Sequence, residues 1–333
     1  MYNIGVYGGF FNPLHMGHLS CIIEAASLCK KLYIVINHTK DPDEINIRVR
    51  HRWVYQLTKH IGNVNIIILS DDFQTKDKYA KEIEQDDEKF LKNHIDGDID
   101  VVFCTDESDK ENFLCNIYPD AKKHTFEKRG INSDKLIGNI YEYWDKLPNL
   151  VKPYFVKKVL LVGSSSTGKS TLTINLANYY NTNFIEEESR EYMSKYGQGT
   201  LIMAEDFTKI LLQHKLDEMN AINTSNKVLF VDTDALVTRF FMNFFTDERN
   251  EKNKILADVI DSLNDFDLIL FLEPDVPYVH DGYRSQVAGD RRLEYSAGLK
   301  EILDAHNKKY ICIKGDYHQR FIEATRAIDN ILK

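Results

Sequence analysis

A strand that runs directly into a glycine-flanked loop and then a helix constrains this chain more than any other feature. Lys158-Val159-Leu160-Leu161-Val162 reads as a buried strand, and Gly163-Ser164-Ser165-Ser166-Thr167-Gly168-Lys169-Ser170-Thr171 follows it. Leu172 to Tyr180 then has helical character. Glycines let the backbone wrap closely, so successive N–H groups converge on phosphate oxygens. The helix start adds partial positive charge. In such a loop Lys169 reaches the β- and γ-phosphates of a nucleotide, and Ser170 offers a hydroxyl to Mg2+.

Other segments of this half fit the same chemistry. Val228 to Val231 is an apolar strand ending in Asp232, which suits the acidic element that holds Mg2+ directly or through water. Asp234 lies two residues on and could share that rim. Glu187 to Tyr192 is a charged run that includes Arg190, and Arg284, Arg291 and Arg292 cluster after a strand and the Asp281-Gly282 loop. Arginines on a mobile lid can stabilise charge on a transferring phosphoryl group, although surface ion pairs account for them equally well. Strands also fit Leu268–Leu272 and Tyr310–Ile313.

The N-terminal half has its own strand, loop and helix. Residues 2–7 alternate as a short strand, and Gly8-Gly9-Phe10-Phe11-Asn12-Pro13-Leu14-His15-Met16-Gly17-His18 follows. His15 and His18 lie three apart at the start of a helix over 17–30, which puts them on one face. Imidazole donors aimed at an α-phosphate would stabilise charge that grows in a transition state. Strands at 31–36, 63–69 and 100–103 alternate with a helix near 50–60, which argues a parallel sheet covered by helices. Residues 71–95 read as a solvated helix with flexible ends, and Arg48, Arg50 and Arg52 as surface arginines beside a core Trp53.

The expected architecture is therefore α/β with two parallel-sheet domains. One is a Rossmann-like domain over 1–145 and the other a phosphate-loop domain over 158–333, joined by a linker at 146–157 where Pro148 and Pro153 preclude one continuous helix. A length of 333 residues suits two cores. The formal net charge of -9 and the lack of a long basic run argue against a duplex DNA binder. No stretch approaches the roughly 20 apolar residues of a membrane span, and Met1 to Tyr7 is not a signal peptide. Five scattered cysteines without a CxxC pair suit reduced thiols in a cytoplasmic protein.

Taken together, several runs resemble a known family. Glu187 to Tyr192, Val231-Asp232-Thr233-Asp234 with Thr238, Pro277 to Arg284, and Gly315-Asp316-Tyr317 with Arg320 resemble the nicotinamide riboside kinase domain of NadR-type proteins. The Gly8 to His18 block resembles the HxGH nucleotidyltransferase superfamily, whose member in NadR-type proteins is a nicotinamide mononucleotide adenylyltransferase. The resemblance implies two successive reactions with ATP and Mg2+. Nicotinamide riboside is phosphorylated on its 5′-hydroxyl, and the mononucleotide then attacks the ATP α-phosphate to give NAD and pyrophosphate. It further implies substrate contacts at Arg190, Tyr278, Asp281, Tyr317 and Trp53, with Tyr278 standing where the family usually has Trp. Asp232, Asp234 and Glu187 all remain candidates for the base. No DNA partner and no stable membrane insertion are expected, and a homo-oligomer is left open.

One departure from the family pattern stands out. The second adenylyltransferase signature, I-S-x-T-x-x-R, corresponds here to Ile131-Asn132-Ser133-Asp134-Lys135-Leu136-Ile137. A carboxylate near a triphosphate repels it, and the missing arginine removes a charge-assisted pair. This motivates an alternative in which the N-terminal domain only binds or senses nucleotide beside an active kinase.

Overall fold

A computed structural model describes residues 1–37, 44–69, 87–105, 113–127, 133–196, 202–245, 249–279 and 289–333. The chain divides into two compact units, Met1–Val151 and Lys152–Lys333. The division falls within the stretch 146–157, which contains the short 3-10 turn Lys152–Phe155 and is preceded by another that ends at its first residue, Trp144–Lys146.

The first unit carries strands β1 (Tyr2–Gly9), β2 (Cys29–Ile36), β3 (Val64–Ile68), β4 (Val101–Cys104) and β5 (Lys122–Thr125). Its helices are α1 (Met16–Leu28), α2 (Ile47–Thr58), α3 (Asp87–His94), α4 (Phe113–Ile117) and α5 (Ser133–Gly138). The sheet order is β3-β2-β1-β4-β5 and every pairing is parallel. Val6, Val35, Ile67 and Val102 are apolar and buried beside Leu91 and Leu114 of the covering helices. The order reverses at β1, so the loop after β1 opens into the crevice where such sheets bind ligands.

Two differences from the sequence expectations have simple causes. The first helix stops at Leu28 because Cys29 is extended and pairs with Tyr2 as the first residue of β2. β5 went unrecognised because Lys122-Lys123-His124-Thr125 is polar, as suits a partly exposed edge strand. Of the stretch 71–95, the described part forms α3, and residues 70–86 lie outside the described residues.

The second unit has strands β6 (Lys157–Val162), β7 (Phe184–Ile185), β8 (Val228–Asp232), β9 (Leu268–Leu272) and β10 (Ile311–Ile313). Its helices are α6 (Lys169–Tyr180), α7 (Glu188–Tyr196), α8 (Ala204–Ala221), α9 (Ala235–Met242), α10 (Asn250–Ser262), α11 (Arg292–Ala305) and α12 (Tyr317–Ile331). The order β10-β9-β6-β8-β7 is again wholly parallel. β6 and β8 are almost continuous runs of Val, Leu and Phe because both their faces are covered. That burial fixes the strand ends, and the ends carry Gly163 and Asp232.

Candidate functional site

In the second unit the loop after β6 turns into α6 at Gly168, whose φ of +85° suits glycine. A Cβ there would also meet the Tyr317 ring at 3.0 Å, so Tyr317 lies against the phosphate loop. Lys169 is buried, and its ammonium donates to Gly163 O at 2.9 Å and Ser164 O at 3.2 Å. Thr167 Oγ1 donates to Ser164 O at 3.0 Å, which tightens the turn.

The acidic strand end meets this loop. Ser170 Oγ donates to Asp232 Oδ2 at 2.5 Å, and Asp232 is fully buried. Burial pushes the Asp232 carboxyl above its usual range, Glu187 pushes the same way, and Lys169 and Arg190 oppose it. The four charged groups are thus close enough to feel one another. A hydroxyl beside a dehydrated carboxylate suits a hard divalent cation. Among the described residues no cluster of three or more His, Cys, Asp or Glu could hold a metal.

Other expected residues are placed differently. Asp234 caps α9, with Oδ1 accepting from Val237 N at 3.1 Å, and burial raises its carboxyl to about 6. Its carboxylate serves the helix rather than the Ser170 rim. Glu187 accepts from Ser189 Oγ at 2.6 Å and pairs with Arg190 at 3.7 Å. Arg291 is ion-paired with Glu294 and lies over the Phe244 and Tyr295 rings. Arg292 braces the phosphate loop, donating to Ser166 O at 3.3 Å and Val276 O at 3.0 Å with Tyr278 across its face. Ser166 Oγ donates to Val279 O at 3.1 Å and accepts from Val279 N at 2.8 Å. This ties the loop to the segment that carries Tyr278. Asp281 and Arg284 lie outside the described residues.

Two buried arginines do more than the sequence suggested. Arg320 is 1% exposed and donates to Thr167 O, to Gly315 O and Glu273 O at 2.7 and 2.8 Å, and to Asp275. It anchors the back of the phosphate loop. Arg50, expected on a helix surface, is fully buried in the first unit and donates to Phe10 O at 2.5 Å, Asn37 O at 2.9 Å and Ile45 O at 2.8 Å. Glu44 neutralises it at 3.1 Å. A positional signal existed for both. Arg320 shares one helical stripe with Ala324 and Ile328, and Arg50 shares one with Trp53 and Val54. A cation on an apolar stripe is buried and must be hydrogen-bonded.

The first unit assembles the histidine pair. A Cβ on Gly8 would fall 2.7 Å from Leu114, so the strand end is tightly walled, and Phe11 is fully buried. His15 caps α1, its Nδ1 accepting from Gly17 N at 3.1 Å and His18 N at 3.4 Å. His18 Nδ1 accepts from His15 N at 3.4 Å, and the two rings stack 3.7 Å apart. Burial lowers His15 to about 4; burial and then His15 itself hold His18 well below the ordinary range. Both rings are therefore neutral near pH 7 with Nδ1 accepting, which leaves the proton on Nε2 as a donor. Trp53 is buried in the face of α2 and belongs to the core. α5 starts at Ser133, where the second signature was expected, but residues 128–132 lie outside the described residues.

Residues 6–128 match the cytidylyltransferase-like family and residues 158–320 the AAA domain family. The chain is 28% identical over 347 residues to the trifunctional NAD biosynthesis/regulator protein NadR of Escherichia coli (strain K12), covering 99% of this chain and 83% of that one. It is similar in fold to a NadR protein solved in complex with NR, with a TM-score of 0.80 at 23% identity over 100% of this chain and 96% of that chain. A NadR protein solved with NAD and AMP-PNP gives a TM-score of 0.78 at 20% identity, with the same coverage.

Proposed function

The chain belongs to the NadR-type family, and from that premise we propose how its two units catalyse consecutive steps of NAD biosynthesis. The protein phosphorylates nicotinamide riboside with ATP and then transfers an adenylyl group from a second ATP to the mononucleotide, releasing pyrophosphate. The observation that carries the kinase reading is the hydrogen bond from Ser170 to the buried Asp232 beside Lys169.

In the kinase unit, the Lys169 ammonium exchanges its loop carbonyls for β- and γ-phosphate oxygens, and the amides of Ser164 to Gly168 cradle the chain of phosphates. Magnesium fits the oxygen pair of Ser170 and Asp232, and when bound it neutralises charge on the transferring group. Asp232 is committed to that rim and Asp234 to the helix cap, which leaves Glu187 as the base for the 5′-hydroxyl. Arg190 pairs with the Glu187 carboxylate and orients it. Tyr278 offers the flat face for the nicotinamide ring, and Arg292 orients it.

In the adenylyltransferase unit, Nε2–H groups of His15 and His18 donate to the α-phosphate as its charge grows. The nucleotide's own 5′-phosphate is the nucleophile, so positioning replaces covalent catalysis. A domain that only binds nucleotide is the less favoured reading, because the stacked pair is already assembled as donors.

Product analysis from nicotinamide riboside, ATP and Mg2+ tests both steps. Mononucleotide appears first and NAD follows. Lys169→Ala yields no mononucleotide but still converts supplied mononucleotide to NAD. The His15/His18 double-alanine variant accumulates mononucleotide. Kinase turnover in the first variant, or NAD formation in the second, removes the assigned role.

A further inference from the structure

All five cysteines are thiols, and two of them meet. Cys104 Sγ lies 3.3 Å from Cys115 Sγ. The first ends β4 and is half-buried; the second sits on α4 and is buried. A disulfide needs sulfurs about 2.05 Å apart, so the closure required is about 1.3 Å, within the reach of side-chain rotation and a small helix shift. None of the catalytic or nucleotide contacts described above uses either thiol.

The position of the pair matters. β4 runs parallel beside β1, with Tyr7 opposite Phe103, so Cys104 stands level with Gly8 near the end of β1. Leu114, immediately before Cys115, packs against Gly8 closely enough to leave no room for a Cβ there. Anything that moves α4 toward β4 therefore acts on the strand end that leads into the His15–His18 turn.

We propose that Cys104 and Cys115 form a reversible dithiol/disulfide site that takes a low-molecular-weight disulfide as its oxidant and governs adenylyl transfer in the first unit. Cys104, the more accessible sulfur, loses its proton and attacks one sulfur of the oxidant, RSSR. A protein–SR mixed disulfide forms and RS− leaves. The Cys115 thiolate then attacks the Cys104 sulfur and expels the second RS−. The two thiol protons end on the two RS− groups, so two protein thiols and RSSR become one protein disulfide and two RSH. The protein gives up two electrons and the oxidant takes them. Closing the bond draws α4 and β4 together and presses Leu114 into Gly8. The oxidised unit consequently binds nucleotide less well, while the kinase unit, which contains neither sulfur, is unaffected.

The test uses the full chain under native conditions with glutathione disulfide. Digestion without reductant, followed by mass analysis, should find a peptide pair linked through Cys104 and Cys115 and lighter than the two thiol peptides by two hydrogens. Dithiothreitol should reverse it. Cys115→Ala should hold the oxidant as a mixed disulfide on Cys104, and Cys104→Ala should leave Cys115 unmodified; the reverse pattern overturns the assigned order of attack. NAD formation from supplied mononucleotide and ATP should fall at least fivefold on oxidation and recover on reduction, with riboside phosphorylation unchanged. The mass result stands apart from the assigned reactions, so their failure and that of the redox site are distinguishable. A link formed only after denaturation, or other cysteine pairs joining first, overturns the site. A native link that leaves adenylyl transfer unchanged overturns its governing role.

Discussion

Replacing Arg320 with methionine tests whether a buried cation holds the phosphate loop in shape. The substitution keeps much of the stem volume but removes donors to the carbonyls of Thr167, Gly315 and Glu273 and to the Asp275 carboxylate. Asp275 is 40% exposed at its side chain and keeps the Gly315 amide, so water can replace the arginine there. The carbonyls are less accessible, and each unsatisfied buried acceptor costs about 1 kcal/mol at the low end. Breaking one side of a buried charged network costs about 3–5 kcal/mol, and the two estimates meet near 3. That is a large share of a stability of about 5–15 kcal/mol. The two tryptophans, Trp53 and Trp144, both lie in the first unit, so their fluorescence reports its unfolding while circular dichroism reports both units. In urea, Arg320→Met should split the two signals: the fluorescence midpoint stays, and a component of the dichroism moves to lower denaturant. The Michaelis constant for ATP should rise about tenfold, which corresponds to about 1.4 kcal/mol of lost loop positioning. A shift in the second unit below about 1 kcal/mol, within the range of an ordinary surface substitution, would refute the reasoning.

Other outcomes follow from the same geometry. Ser166→Ala removes both hydrogen bonds to Val279 and should raise the Michaelis constant for riboside about three- to tenfold with little change in turnover, measured by steady-state kinetics. Asp232→Asn should lower riboside phosphorylation by about 100-fold or more while the second unit becomes harder to unfold at pH 7, because the buried charge is removed; lower stability would show that Asp232 acts mainly as a structural partner. His15 has a folded pKa of about 4 against 6.5 when unfolded, so its contribution to stability is complete above pH 6.5 and is lost as pH falls toward 4. The fluorescence-detected unfolding free energy should therefore drop by about 2 kcal/mol for this residue between pH 7 and pH 5, and a His15→Gln variant should flatten the dependence.

Some of the site is readable from local spacing alone, and some is not. The glycine loop before Lys169 and the HxGH run are contiguous, so backbone conformation within one turn suffices to build them. Asp232 was legible because a run of buried apolar residues must end somewhere, and a carboxylate there is unusual. Asp234 shows the limit of that reasoning. It sits two residues away on the same loop, yet its carboxylate is claimed by the first turn of α9. The roles expected of Arg291 and Arg292 diverged for a similar reason: neighbours in sequence at a helix start reach different partners, one Glu294 and one Ser166.

From the sequence alone came the α/β class, the two parallel sheets and the chemistry of each strand-end loop, because these rest on hydrophobic runs and on contacts within a few residues. Tertiary structure alone decided what holds those loops in place. Arg320 reaches Thr167 across 153 positions, Arg50 reaches Phe10 across 40, and Cys104 meets Cys115 where a strand end and a helix converge. Such contacts depend on which strands lie side by side, and strand order is set by the packing of whole faces, which no short window of residues contains.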